Sequence, residues 1–206
     1  MKLFLGICNT QHEVPSGFFW SFIAIRNEYE TIPFRSRHPW DIVRNNKIVY
    51  EFLKGDCDVL VKMDIDQSYP SNYFEKLVPL VKKYKVIGPL IYDRGEGRTP
   101  LMFSKRDGFM MTKMDLSNKA GVEEVPYCHT NLFYSREVLE KIPAPWYEAS
   151  LSEDGLERGS HVDYDFLDKI HNVGYPTFID ISTVVGHQTV DYEWGDEYKK
   201  RSQGAF

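Results

Sequence analysis

The stretch that decides the fold is D-V-L-V-K-M-D-I-D, residues 58–66. The apolar run between residues 59 and 63 predicts a short strand that is covered on both faces of a sheet. The run stops at two carboxylates, Asp64 and Asp66, and the Ser-Tyr-Pro of residues 68–70 then predicts a turn. Acids at the carboxyl end of a buried strand lie where open α/β sheets bind their ligands.

Asp64 and Asp66 would repel each other if nothing neutralised them. A divalent cation with a preference for hard oxygen ligands keeps two such carboxylates ionised. The pattern therefore indicates a metal site at which the metal ion contacts a phosphate group. An isolated Asp-x-Asp is also common by chance, so two solvated turn residues are an equal alternative on this stretch alone.

Length and composition predict a single globular domain. The 206 residues are 42% apolar and 27% charged, which suffices for a sizeable core. The net charge of −5 argues against a dedicated nucleic-acid binder, which is usually basic. The three cysteines form no Cys-x-x-Cys pattern, which favours a reducing compartment, and the longest apolar run, residues 18–25, is too short to span a membrane. We expect a cytoplasmic protein with no transmembrane segment and no nucleic-acid partner.

Strand and helix patterns alternate through the first ninety or so residues. Pro15 and Ser16 open the first predicted helix, which carries Phe18, Phe19, Phe22 and Ile23 on its apolar side. Another predicted helix begins at Ser71 or Asn72, and three more cover residues 41–54, 135–142 and 163–173. The predicted strands cover residues 3–7, 31–34, 59–63, 85–91, 101–103, 109–112, 122–125, 129–134 and 177–185. The fold class is therefore α/β, with a mixed, mostly parallel sheet and helices on both faces. Pro79 is expected to kink or break its helix.

Two further residues are candidates for chemistry. Asp163 shares a predicted helix face with Phe166, Leu167 and Ile170, so its carboxylate is aimed inward and is a candidate base. An acid in the first turn of a helix is more often a purely structural cap. His187 follows a predicted strand at the point where the chain continues into a loop, so its imidazole is a candidate third metal ligand. A lone histidine is more often structural.

Several motifs occur in one order along the chain. They are R-N-N-K at residues 44–47, the Asp-x-Asp strand at 59–66, H-T-N-L-F-Y-S-R-E-V-L at 129–139 with I-P-A-P-W-Y at 142–147, H-V-D-Y-D-F at 161–166 before Gly174, and the closing strand from Asp180 to His187. Together they resemble the small GT-A-fold glycosyltransferases, of the family-2-like, nucleotide-sugar-dependent kind. The resemblance covers most of the chain. It implies a nucleotide-sugar half, about residues 1–92, and an acceptor half with a C-terminal lid, about residues 93–206.

The resemblance implies a donor site built around a metal ion. Mn²⁺ or Mg²⁺ would be held by Asp64, Asp66 and His187, and Asp64 has an alternative role on the ribose. Asn9 and Thr10 are placed where such enzymes hold the nucleotide base. The favoured donor is a UDP-sugar.

Arg44 is expected near the nucleotide as well, and Asp163 would take the proton of the acceptor hydroxyl in an inverting enzyme. The chain has Val162 where the pattern usually has an acid, so Asp154 of the nearby Glu153-Asp154 pair is an alternative base. The acceptor would be a carbohydrate, a lipid-linked group or a protein.

Other functions use the same carboxylates. An Asp-x-Asp after an apolar strand also occurs in phosphohydrolases with an aspartate nucleophile and in metal-dependent nucleotidyltransferases. The residue after the motif is Gln67, and a full strand-helix unit precedes it, which disfavours the phosphohydrolase. No glycine-rich phosphate loop occurs, which disfavours a kinase or a dehydrogenase. A non-catalytic domain that binds a nucleotide or a sugar remains a further alternative.

Overall fold

The computed structural model describes residues 1–9, 14–94, 99–107, 110–151, 156 and 159–187. The strands are β1 (Lys2–Cys8), β2 (Glu30–Ser36), β3 (Val59–Asp64), β4 (Gln67–Ser68), β5 (Val86–Ile91), β6 (Met102–Asp107), β7 (Met110–Lys113), β8 (Val122–Glu124), β9 (Tyr127–Cys128), β10 (Phe133–Ser135) and β11 (Phe178–His187). The helices are α1 (Ser16–Ala24), α2 (Asp41–Lys54), α3 (Tyr73–Tyr84), α4 (Arg136–Lys141) and α5 (Val162–Asn172).

A mixed central sheet organises the described residues. Its strand order is β2-β1-β3-β10-β5-β11-β4, and β8 also pairs with β11. β1 runs parallel to β2 and β3, and β5 runs parallel to β11. β10 lies antiparallel between β3 and β5. The predicted α/β class with a mixed, mostly parallel sheet is confirmed.

Helices cover both faces of this sheet, as β3 requires. Leu60 faces the core that contains buried residues of α2, α4 and α5. Val61 and Met63 face the other core, which contains buried residues of α1 and α3. All three side chains are at most 1% exposed, so neither side of β3 reaches water. Burial of each such side chain stabilises the fold by roughly 1.5–3 kcal/mol.

Helix α1 differs from its prediction. Phe18 is buried, but Phe19, Trp20 and Ile23 are about half exposed or more, at 48%, 64% and 55%. The prediction placed Phe19 and Ile23 on the inner face. The helix is apolar around most of its circumference, so periodicity alone does not identify the face that packs.

Helix α3 continues through Pro79, so the predicted break does not occur. A proline in a helix removes one backbone hydrogen bond. Phe74, Leu77, Val78 and Val81 are at most 2% exposed in this helix, and their packing holds it in place. Asn72 precedes the helix as predicted, but its side chain makes no capping hydrogen bond.

A second sheet, with the strand order β7-β6-β9, lies beside α5. Arg106 of β6 donates to Asp165 over 2.7 Å and to Asp168 over 2.8 Å, which ties this sheet to the helix. In the part of the chain that is described, no helix has the length and apolar character needed to cross a membrane.

Candidate active site

Asp66 and His187 meet at the edge of the central sheet. β4 follows the Asp-x-Asp turn and pairs antiparallel with the end of β11, so that Gln67 lies opposite His187. This pairing brings Oδ2 of Asp66 to 3.6 Å from Nε2 of His187. The two residues were predicted to share a site, and the short strand β4, which was predicted as a turn, is what joins them.

The imidazole of His187 is held in one tautomer. Its Nδ1 donates to the carbonyl oxygen of Tyr92 over 3.0 Å, because a carbonyl can only accept. Nε2 therefore carries the lone pair that faces Asp66. Burial, followed by the charge of Arg94, holds the pKa of His187 below its ordinary value, so the ring is neutral at pH 7.

Arg94 places a positive charge between these two side chains. Its guanidinium forms an ion pair with Asp66 through Oδ2, and its Nε donates to Nε2 of His187 over 2.9 Å. Oδ1 of Asp66 is buried and accepts no hydrogen bond from any described residue. Asp66 and His187 thus both interact with the guanidinium of Arg94. Oδ1 of Asp66 has no hydrogen-bond donor among the described residues.

Asp64 points to a different set of partners. Its Oδ2 accepts a hydrogen bond from Nδ2 of Asn131 over 2.7 Å. Burial opposes its ionised form, but the charge of Lys62 and then the bond from Asn131 outweigh burial and lower the pKa of Asp64. The hydroxyl of Tyr69 accepts from the backbone N–H of Asp64 over 3.0 Å and donates to Gln67 over 3.0 Å, which fixes the turn.

Asp66 and His187 fit a divalent cation whose other coordination positions are filled by a bound ligand. Among the described residues, no three His, Cys, Asp or Glu side chains converge, so Asp64 does not join Asp66 and His187 around one point. Asp66 offers an oxygen without a donor, and His187 offers a neutral nitrogen. Mg²⁺ is often held by one or two protein carboxylates together with substrate phosphates, and imidazole nitrogen suits Mn²⁺.

Asp163 occupies the first turn of α5. The helix residues predicted to share its face, Phe166, Leu167 and Ile170, are fully buried. Oδ1 of Asp163 accepts a hydrogen bond from Oγ1 of Thr130 over 2.7 Å. The capping role falls to His161, whose Nδ1 accepts from the backbone N–H of Asp163 over 3.3 Å. Asp163 is therefore not the cap of its helix, and its carboxylate is aimed at the segment that also holds Asp64.

The residues that were expected around the nucleotide are connected less directly to this cluster of side chains. Asn9 is buried at the end of β1, where its N–H donates to the carbonyl of Ser36. Arg44 donates to the carbonyl of His38 over 3.0 Å, and its charge also contributes to the lowered pKa of Asp64. Thr10 and the Glu153-Asp154 pair lie outside the described residues.

Four residues of the site were not identified from the sequence. They are Lys62, Arg94, Thr130 and Asn131. A lysine inside an otherwise apolar strand was a usable signal, because such a strand predicts burial on both faces. Thr130 and Asn131 fell within a predicted strand but lie in the segment between β9 and β10, and nothing in the local pattern assigns them partners.

Solved structures with a similar fold were found by comparison. A197 from STIV matches with a TM-score of 0.63 and 21% identity, over 92% of this chain and 86% of that chain. GalNAc-T7 with UDP, GalNAc and Mn²⁺ matches with a TM-score of 0.64 and 15% identity, over 94% of this chain and 44% of that chain. TarS 1-349 of S. aureus in complex with UDP-GlcNAc matches with a TM-score of 0.55 and 13% identity, over 94% of this chain and 60% of that chain.

These neighbours show that the chain has a GT-A-like fold, the fold of the glycosyltransferases among them. The chain spans less than two thirds of the GalNAc-T7 and TarS structures, at 44% and 60% of their lengths. No family model matches the sequence, and no curated protein is significantly similar to it.

Proposed function

We propose that the protein is a glycosyltransferase that moves a sugar from a nucleotide diphosphate to an acceptor hydroxyl, with a divalent metal. The observation that carries this proposal is the meeting of Asp66 and His187 at the edge of the central sheet, 3.6 Å apart, in a GT-A-like fold. UDP and Mn²⁺ accompany GalNAc-T7, and UDP-GlcNAc accompanies TarS, so a UDP-sugar is the favoured donor.

The donor side of the site consists of Asp64, Asp66 and His187. Asp66 and His187 would hold Mn²⁺ or Mg²⁺, and Asp64, which is turned toward Asn131, would bind the ribose or reach the metal from the nucleoside side. When bound, the cation neutralises charge that develops on the departing diphosphate. Asn9, Thr10 and Arg44 would hold the base and ribose, and residues 1–92 would form the donor half.

The acceptor side depends on Asp163. Its Oδ1 accepts a hydrogen bond from Oγ1 of Thr130 over 2.7 Å, which fixes the orientation of the carboxylate that would serve as the general base. In an inverting transfer, Asp163 accepts the proton of the acceptor hydroxyl as the new glycosidic bond forms. Residues 93–206 would supply this half and a lid, and the acceptor would be a carbohydrate, a lipid-linked group or a protein.

Thermal unfolding with UDP tests the donor site. UDP and Mn²⁺ together should raise the unfolding temperature, and a ligand at about 100 times its dissociation constant adds roughly 2.7 kcal/mol. Mn²⁺ alone, UDP with a chelator, and Asp66→Asn should each give a much smaller shift. No shift with either uridine or guanosine diphosphate would contradict the proposal and favour the phosphohydrolase.

Substitution of Asp163 tests for catalysis. Asp163→Asn should retain the UDP and Mn²⁺ shift but lose transfer from UDP-sugars by at least about 100-fold, the usual contribution of a general base. A wild-type protein that binds UDP but transfers no sugar from any donor in a screen would be a binding domain. Glu137→Gln is the matched control, because Glu137 is also an acid in the first turn of a helix but is exposed and pairs with Lys85.

A further inference from the structure

Lys62 is a buried cation in the middle of β3. It is 5% exposed, and its neighbours Val61 and Met63 are fully buried apolar residues. A lysine in such a place costs stability unless its ammonium group is paired and hydrogen-bonded. Its Nζ donates to Oγ1 of Thr130 over 2.9 Å and to Oδ1 of Asn131 over 3.2 Å.

Because Lys62 can only donate, it fixes the direction of the side-chain hydrogen bonds that Thr130 and Asn131 make to the two carboxylates. An ammonium group can only donate, so the single proton of the Thr130 hydroxyl is left for another acceptor. That acceptor is Asp163, over 2.7 Å. Likewise, Asn131 must direct its oxygen at Lys62 and its NH₂ group elsewhere, and Nδ2 meets Asp64 over 2.7 Å.

The cluster thus has two arms of two hydrogen bonds each, and both start from the ammonium group of Lys62. One arm runs from Lys62 through Asn131 to Asp64, and the other runs from Lys62 through Thr130 to Asp163. Thr130 and Asn131 are 1% and 2% exposed, so water cannot readily take over either link. Each arm delivers a hydrogen-bond donor to a carboxylate.

We propose that Lys62 is a positioning residue that couples the donor side of the site to the acceptor side. It orients Thr130 and Asn131 so that Asp163 and Asp64 are both held as hydrogen-bond acceptors, at a fixed separation. This inference rests on the proposed glycosyl transfer, in which Asp64 serves the nucleotide and Asp163 serves the acceptor. Without Lys62, the hydroxyl and the amide are free to rotate, and each carboxylate loses its fixed partner.

The two arms can be cut separately, which gives a test that a purely structural role would not satisfy. Thr130→Val removes the arm to Asp163 and should lower kcat by about 10-fold, while the Kd of UDP in the presence of Mn²⁺ stays within about 2-fold. Asn131→Leu removes the arm to Asp64 and should raise that Kd by about 10-fold, with a smaller effect on kcat. Lys62→Met should change both quantities.

Lys76→Met is the control, because Lys76 donates to the exposed carbonyl of Ser182 and has no part in the cluster. Each variant is first checked for folding by circular dichroism, and the two arm variants carry the test if Lys62→Met does not fold. Equal effects of Thr130→Val and Asn131→Leu on kcat and Kd, or losses of stability alone, would overturn the role of Lys62. A wild-type protein that neither binds UDP nor transfers sugar would instead contradict the proposed function.

Discussion

Nε of Arg94 donates to Nε2 of His187 over 2.9 Å, and the same guanidinium is paired with Asp66. The lone pair of His187 and an oxygen of Asp66 are the groups that a divalent cation would need. The positively charged side chain of Arg94 therefore lies at the point where the proposed metal ion would bind. A divalent cation at this point would compete with Arg94, and the displaced guanidinium would then be free to meet a diphosphate.

Removal of Arg94 should make the site bind metal without help from a nucleotide. Because Mn²⁺ no longer has to displace a guanidinium, Arg94→Met should bind Mn²⁺ alone about 10-fold more tightly than the wild type. Isothermal titration with Mn²⁺ in the absence of UDP measures this affinity. Arg26→Met, which removes an exposed arginine that pairs with Glu75, should leave it unchanged. Weaker Mn²⁺ binding by Arg94→Met would show that the two cations do not compete.

His129 should make stability depend on pH. Burial lowers its pKa to about 4, and both ring nitrogens are used: Nε2 donates to Pro89 and Nδ1 accepts from the N–H of Asn131. The unfolded chain takes up a proton near pH 6.5 and the folded chain near pH 4, so this contribution is complete above pH 6.5 and is lost as the pH falls toward 4. The loss amounts to roughly 3 kcal/mol.

Urea unfolding between pH 7.5 and about pH 4.5 measures this dependence. His129→Asn should be less stable than the wild type at pH 7.5, because its hydrogen bonds are disturbed, but should lose less stability on acidification. The same slope in both proteins would assign the pH dependence to other groups.

The pairing of Arg106 with α5 should be a large contribution to stability. The side chains of Arg106 and Asp165 are each only 13% exposed, so Arg106→Leu leaves a largely buried carboxylate without its countercharge, although Ser160 still donates to it. We expect a loss of about 3 kcal/mol in urea unfolding. Asp165→Asn in the same protein should recover part of it, because the remaining charge is removed. Lys105→Leu, an exposed neighbour on β6, should change stability by less than about 0.5 kcal/mol.

A side chain at Gly88 should cost stability, and the effect should reach the site. A Cβ at this position of β5 would overlap Cδ2 of Leu132 and lie 3.3 Å from the carbonyl oxygen of Asn131. Gly88→Ala should cost about 1–3 kcal/mol and weaken UDP binding, because Asn131 is displaced from Asp64. Gly55→Ala, whose Cβ has ordinary contacts at 3.6 Å or more, is the control. A stable Gly88→Ala that binds UDP normally would contradict this expectation.

The sequence predicted the elements whose pattern is local. The apolar run of β3, the amphipathic spacing of α3 and the face of α5 each depend on neighbours in sequence, and all three elements form near their predicted positions. The position of β10 between β3 and β5 depends on pairing between distant residues, which no local period records. Helix α1 is apolar on most sides, so its buried face is decided only by what packs against it.

The same distinction between local patterns and long-range contacts applies to the candidate site. Asp66 and His187 were predictable as partners because Asp66 follows β3 and His187 ends β11, and the ends of such strands meet at one edge of a sheet. The link from Lys62 to Asp64 and Asp163 was not predictable, because it passes through Thr130 and Asn131, and their orientation follows from tertiary packing alone.

The place of β10 also has a consequence for how the chain folds. Phe133 pairs with Val61 on one side and with Ile87 on the other, so a strand from the second half of the chain fills the middle of a sheet begun by the first. Long loops must close before these contacts form, which slows folding. During synthesis, the edges of β3 and β5 that pair with β10 therefore stay unpaired until β10 has emerged, and these exposed strand edges need protection until then.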